Sequence, residues 1–219
     1  MARGPAPVRT SRLALAVVAL FILVLGVPAL AERLTDWLWY REIGFERVFV
    51  LKLVAQGGLA FVGLLLAFAA LYGNARLALR GMERSAESIV VLASGGIATR
   101  AKFLVRVAQM LALPGTLFLA FLLALGLGSQ WRTLVQAYFA TPFGVVDPIF
   151  GRDVAHYVFA VPAWQMLSDY VWAMTFLSLV LVALPIYFVR GDFEWRRGRL
   201  AIEAPAELHL ALLAALWLV

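Results

Sequence analysis

A chain of 219 residues that is 63% hydrophobic and 15% charged, with a mean hydropathy of +0.89, is excluded from the ordinary soluble class, which averages about 45–50% apolar and about 25% charged. The net charge of +6 does not point to nucleic acid, because arginines in so apolar a chain belong beside membrane spans on their cytoplasmic side. The absence of cysteine excludes disulfides, thiolate metal sites and thiol catalysis, and two histidines, His156 and His209, exclude a histidine-rich metal centre.

In chain order, residues 1–12 form a polar tail with Arg3, Arg9 and Arg12. Residues 13–31 carry no charge. At about 1.5 Å per residue they reach roughly 28 Å, enough for a first crossing of a hydrocarbon core of about 30 Å. The basic start and Ala29-Leu30-Ala31 also fit a cleaved leader, although the apolar run exceeds the usual leader length of about 7–15 residues. Residues 32–52 read as an extracytoplasmic loop whose charges cancel. Trp37, Trp39, Tyr40, Phe45 and Phe49 crowd into it as an interfacial aromatic belt, and Asp36–Ile43 reads as a short interfacial helix stopped by Gly44. A lipid or sugar site on these rings is the functional alternative.

The second span is predicted over 53–75, followed by a basic cytoplasmic loop at 76–106. There Arg76, Arg80 and Arg84 recur every four residues on one helix face, as an anchor for phosphate headgroups. Ile89–Ala93 is too short to cross and is broken at Gly95-Gly96. The third span, 107–131, carries Ala108, Ala112, Thr116, Ala120, Ala124 and Gly128 at intervals of four. Such a ridge of small residues lets helix backbones approach closely in a bilayer, where packing drives association.

The loop at 132–169 holds the most distinctive stretch, Asp147–Pro162. Asp147-Pro148 suits a turn or helix start, Phe150-Gly151 interrupts, and Asp153 can cap a short surface helix. On that helix Val154, Tyr157, Val158 and Val161 share an apolar face, and Pro162 leads into a fourth span at 170–189, kinked by Pro185. A charged cytoplasmic loop at 190–207 follows, and then the apolar run 208–219, opened by Pro205. That run covers roughly 18 Å, half a crossing, and is read as a fifth span that continues further. With the N-terminus inside, 13 of the 19 Arg and Lys lie on the cytoplasmic side. The positive-inside bias favours that orientation and puts Asp147–Pro162 and the aromatic belt outside the cell.

Two motifs, D-W-L-W-Y-R-E-I-G-F at Asp36–Phe45 leading into Val48-Phe49, and D-P-I-F-G-R-D-V-A-H-Y-V-F-A-V-P at Asp147–Pro162, resemble uncharacterised protein family 0182. The resemblance extends from the first span to the last. It implies the N-terminal membrane part of a protein several times longer, one of a family of large bacterial multi-pass membrane proteins with an extracytoplasmic domain towards the C-terminus. Family members commonly carry Ser-Phe where this chain has Ala155-His156, which argues against a special role for His156. The resemblance implies no known activity and carries over no catalytic residue.

The expected fold is therefore all-α, a polytopic transmembrane helical bundle with short interfacial helices in the inner membrane. Asp147, Asp153 and His156 offer few ligands for a cation, and Asp169 marks the outer end of the fourth span. No cofactor, no metal and no enzymatic activity are expected. The leading functional expectation is the membrane-anchoring part of a larger cell-envelope protein, partnered by the bilayer, by the rest of its own chain and by envelope proteins. A transporter component, or an enzyme acting on envelope lipids or glycans, are the alternatives.

Overall fold

The computed structural model describes residues 19–20, 22–80, 96–196 and 199–218. The N-terminal tail with its three arginines, the start of the first span, Arg84, the Ile89–Ala93 segment, Gly95 and Arg197 lie outside the described residues. The fold is all-α apart from one short hairpin. The chain divides into two compact units, Met1–Val54 and Ala55–Val219.

In the first unit a π turn, Ile22–Gly26, leads directly into α1, Val27–Glu42. No break separates an apolar span from a short interfacial helix at Asp36, as the sequence suggested. The charges from Glu32 onward ride on the outside of one continuous helix, because a polar face does not end a helix whose backbone stays hydrogen-bonded. Gly44 ends it, at φ +75, a left-handed conformation that costs a residue with a Cβ. Helix α2, Glu46–Leu79, starts two residues later.

In the second unit α2 continues and is followed by α3, Gly96–Ser129, and by the short α4, Trp131–Tyr138. A single helical run then extends from Val154 to Arg190. It consists of a π turn His156–Ala160, α5 at Val161–Leu177, a second π turn Ser178–Ala183, and α6 at Leu184–Arg190. The expected surface helix at 153–161 and the fresh start at Pro162 are thus replaced by the opening turns of that run. Strands β1, Phe193–Arg196, and β2, Arg199–Ile202, pair antiparallel, with Phe193 opposite Ile202, and lead into α7, Ala204–Leu218. Among the described residues three helices are long and apolar enough to cross a membrane: Glu46–Leu79, Arg106–Ser129 and His156–Arg190.

The prolines explain the continuity. Pro28, Pro162 and Pro185 each follow a π turn by two residues, the turns ending at Gly26, Ala160 and Ala183. Proline lacks an N–H and its ring crowds the carbonyl one turn back. The wider π turn relieves that crowding, so the chain keeps a helical course with a local adjustment.

The core sits between the helices, and alanines supply six of the fifteen residues of its described buried cluster. Ala67, Ala75 and Ala78 on α2, Ala120 on α3, Ala183 and Ala206 are fully buried, beside Leu71, Leu127, Met166 and Leu210. Large apolar residues point outward instead: Phe61, Leu65 and Leu66 on α2, and Phe118, Phe121, Leu122 and Leu125 on α3. This is the distribution that a hydrocarbon solvent permits. Bulky chains lose nothing by facing lipid, and close van der Waals packing holds the helices together.

Candidate functional site

The ridge on α3 makes a close helix contact. Thr116, Ala120, Ala124 and Gly128 are buried, and Ala108 and Ala112 are half-buried. A Cβ on Gly128 would lie 2.8 Å from the Ala60 Cβ and 3.1 Å from the Gln56 carbonyl oxygen of α2. One turn away the Tyr170 hydroxyl of α5 donates to the Gly63 carbonyl at 2.6 Å. The Thr116 hydroxyl turns back onto the Ala112 carbonyl of its own helix, satisfying itself without a partner helix. The matching ridge on α2, Ala60, Gly63, Ala67, Ala75 and Ala78, escaped the sequence reading; its spacings are three, four, eight and three, with the buried Leu71 in the longest gap.

At the Ser129–His156 end, the Asp147–Pro162 motif is a stapled loop. The Asp147 N–H donates to the Arg152 carbonyl at 2.8 Å, and the Gly151 N–H to the Asp147 carbonyl at 2.9 Å. Pro148, Ile149 and Phe150 occupy the tip, and Gly151 turns it at φ +64. The two aspartates hold it from inside. Asp147 accepts the N–H groups of Ile149 and Phe150 and, at 2.7 Å, the Tyr157 hydroxyl. Asp153 accepts three backbone N–H groups, from Phe143, Gly144 and Ala155, at 3.0, 2.9 and 2.8 Å. These bonds hold both carboxyls below the ordinary carboxylate range: the Ile149 N–H and then the Tyr157 hydroxyl at Asp147, the Ala155 and Phe143 N–H groups at Asp153. Asp153 thus caps a helix, though one that continues to Arg190, while Asp147 makes a turn and starts no helix.

The loop does not present these carboxylates to a ligand. Asp147, Asp153 and His156 do not converge, and among the described residues no three His, Asp or Glu side chains gather as metal ligands. His156 packs edge-on against Tyr157, with ring centroids 5.5 Å apart. What the loop does present is apolar: Ile149 is 81% exposed and Phe150 74%, and Phe143, Val145 and Val146 are exposed beside them. Pro162 lies inside the helix, and Asp169 is an exposed residue along its length, beside Trp164 and Trp172.

A polar cluster at the opposite end was not anticipated. Arg190, in the last turn of α6, pairs with Asp192 at 2.8 Å, and these side chains are only 10% and 2% exposed. Arg190 also donates to the Ala78 and Arg80 carbonyls at 3.2 and 2.7 Å, closing the C-terminus of α2, and lies 5.1 Å from the Tyr187 ring centre. The Tyr187 hydroxyl meets His209 Nδ1 at 2.8 Å, and His209 Nε2 meets Asn74 Oδ1 at 2.9 Å. Asn74 in turn donates to the Ala70 carbonyl. This chain ties α2, α6 and α7 together with no charge inside the long apolar runs. The available sequence signal was Arg190-Gly191, a basic last turn with a left-handed glycine cap at φ +85. Asn74 and His209, lone polar residues in apolar helices, gave none.

In the first unit, Trp39 and Tyr40 meet edge to face at 4.9 Å, Tyr40 and Phe49 lie 5.7 Å apart, and Arg41 covers Trp37 at 5.4 Å. Phe49 is buried, whereas Trp37, Trp39 and Phe45 are exposed. Lys52 binds Asp36 at 2.7 Å and holds its carboxyl below the usual range. Of the five belt aromatics, Trp39, Tyr40 and Phe49 form a run of neighbouring rings.

The model of an uncharacterised protein family, UPF0182, matches residues 13–219. The chain belongs to this family. It is similar to UPF0182 proteins of Cupriavidus necator (28% identical, 98% of this chain, 24% of the relative), Pelobacter propionicus (32%, 90% and 23%) and Trichlorobacter lovleyi (31%, 91% and 22%). The chain therefore spans about a quarter of the length of these curated relatives. No solved structure matches it.

Proposed function

We propose that this chain is the membrane-anchoring scaffold of a larger cell-envelope protein, seated in the plasma membrane with its N-terminus in the cytoplasm. One observation carries the reading: small side chains line the helix contacts while large apolar side chains cover the outside of the helices. The stapled loop 143–154 then serves as a rigid extracytoplasmic platform. Its apolar tip, Ile149 and Phe150, gives envelope partners or the rest of the protein a surface to pack on. No catalytic role is assigned, because both motif aspartates are engaged in holding backbone.

The second reading, a transporter component, draws on the Asn74–His209–Tyr187 chain, since polar residues among membrane helices commonly mark solute or proton paths. Single cysteines at Ile149 and, separately, at Gly95, introduced into the full-length protein, discriminate the topology. Ile149 is a better handle than Gly151, whose positive φ strains any replacement. A membrane-impermeant maleimide applied to intact cells is expected to label position 149 and not position 95. The reverse pattern would place the basic loops outside and overturn the anchoring model.

A further inference from the structure

The basic end of the α2–α3 pair holds an unassigned chamber of about 400 Å³, lined by Tyr72, Arg76 and Leu79 of α2, by Arg80 just after it, and by Gln109, Ala112 and Leu113 of α3. Its described polar side chains are two guanidiniums, a phenol and a carboxamide, a set rich in donors, and none of its described lining residues is acidic. Arg76 is positioned over the Tyr72 ring at 5.8 Å, and Tyr72 is itself stacked on Phe68 at 5.3 Å. Among the described residues neither Arg76 nor Arg80 meets a carboxylate. Both arginines are exposed at the point where two apolar helices leave the hydrocarbon.

Below the chamber the chemistry changes sharply. Leu79, Ala112 and Leu113 line it, and the same faces continue as Leu65 and Phe68 on α2 and Leu117 on α3. Leu65, Leu113 and Leu117 are exposed there. A cationic, donor-lined head above an apolar groove matches one ligand class, an amphiphile with an anionic phosphate head and hydrocarbon tails. Arginine suits the head, since its fork of donors pairs two phosphate oxygens at once. We propose that this chamber binds one anionic phospholipid from the leaflet at the Arg80 end. Arg76, Arg80 and Gln109 hold its phosphate, and the first carbons of its tails lie against Leu113. A free phosphate ion would leave the apolar groove unused.

The inference rests on the membrane-spanning reading of α2 and α3. The test uses the detergent-solubilised full-length protein, incubated with equal amounts of dioleoylphosphatidylglycerol and dioleoylphosphatidylcholine and read by native mass spectrometry. The wild type is expected to retain phosphatidylglycerol preferentially. The R76Q/R80Q double variant should lose that preference by about tenfold or more, as expected when two arginines leave an anionic surface. An R132Q/R152Q variant, which removes the same charge from the other end, should keep it. Q109W, which fills the chamber without changing charge, should also displace the lipid, and serves if the double variant fails to fold. R76K/R80K should retain a preference weaker than that of the wild type. Millimolar glycerol phosphate should not compete; displacement by it would reassign the chamber to a free anion and overturn the lipid assignment. Equal preference in wild type and R76Q/R80Q, or equal loss in R132Q/R152Q, would also overturn it. A protein that fails to fractionate with membranes would instead refute the spanning reading.

Discussion

Two glycines, Gly126 and Gly128, sit two residues apart on α3 and offer a matched test of the packing argument. Alanine at 128 would bring its Cβ to 2.8 Å from the Ala60 Cβ and 3.1 Å from a backbone oxygen, where ordinary contact begins at 3.4 Å. Neither neighbour is the free end of a flexible side chain, so the helices themselves must part, by up to the difference of 3.4 and 2.8 Å. A gap of that order forfeits a quarter or more of the local dispersion energy, and overpacking of this kind costs about 1–3 kcal/mol. Alanine at 126 meets nothing within 4 Å and removes a helix-interior glycine, a gain of about 0.5–1 kcal/mol. The same chemical change is thus expected to have opposite signs, with the variants about 2–4 kcal/mol apart. Gly63→Ala should fall between them, because its nearest contact is the tip of the Leu127 side chain, which can rotate away. Thermal unfolding in detergent should place Gly128→Ala below wild type and Gly126→Ala at or above it, separated by on the order of 5–10 °C. Equal midpoints for the two would refute the claim that backbone approach at Gly128 holds α2 to α3.

Ala120→Leu or Ala124→Leu should destabilise the solubilised protein more than Leu119→Ala, because both alanines are buried at the ridge while Leu119 is only partly buried; equal losses would remove the ridge from the account. His209→Leu strands the Tyr187 hydroxyl and the Asn74 carbonyl oxygen, so a loss of about 1–3 kcal/mol is expected from unfolding midpoints, and a neutral variant would show the chain to be dispensable. The stapled loop should respond to acid in one direction. Its two aspartates titrate below the ordinary carboxyl value of 3.8, so their contribution is complete above that value and is lost as pH falls through their folded values. A spin label on Ile149→Cys should keep one mobility from neutral pH down to about pH 5 and loosen only below the ordinary carboxyl range; loosening that begins near neutrality would contradict the role given to Asp147 and Asp153.

Hydropathy made the long helices legible because a span needs about 20 apolar residues and little else. The α3 ridge was legible because its spacing of four is uninterrupted from Ala108 to Gly128. Boundaries were harder, for two physical reasons. Charges were read as helix ends, yet the exposed Glu32 and Glu42 and the half-buried Asp36 all sit within α1 without disturbing its backbone. Pro162 was read as the entry to a span and Pro185 as a kink, yet a π turn before each of them, and before Pro28, accommodates the ring. A π turn has no side-chain signature, so it cannot be read from composition. The polar cluster stayed hidden for a related reason. Asn74 and His209 are 135 residues apart in the chain, and only the fold makes them neighbours.

The placement of polar groups along the long helices separates what holds the protein from what it offers. Carboxylates at the loop end face inward onto backbone N–H groups and leave an apolar tip outside. At the opposite end the buried Arg190 closes a helix terminus, while Arg76 and Arg80 remain turned toward the surroundings. On the proposed reading the loop end meets apolar surface and the basic end meets anions. Between them the described helices bring small residues together, with close approaches at Gly128 and Gly63. If that is the division of labour, loosening the bundle at Gly128 should weaken phosphatidylglycerol retention as well as stability, because the chamber is formed by the same two helices. The R76Q/R80Q variant should weaken retention while leaving the unfolding midpoint nearly unchanged, since neither guanidinium is among the buried contacts of the core.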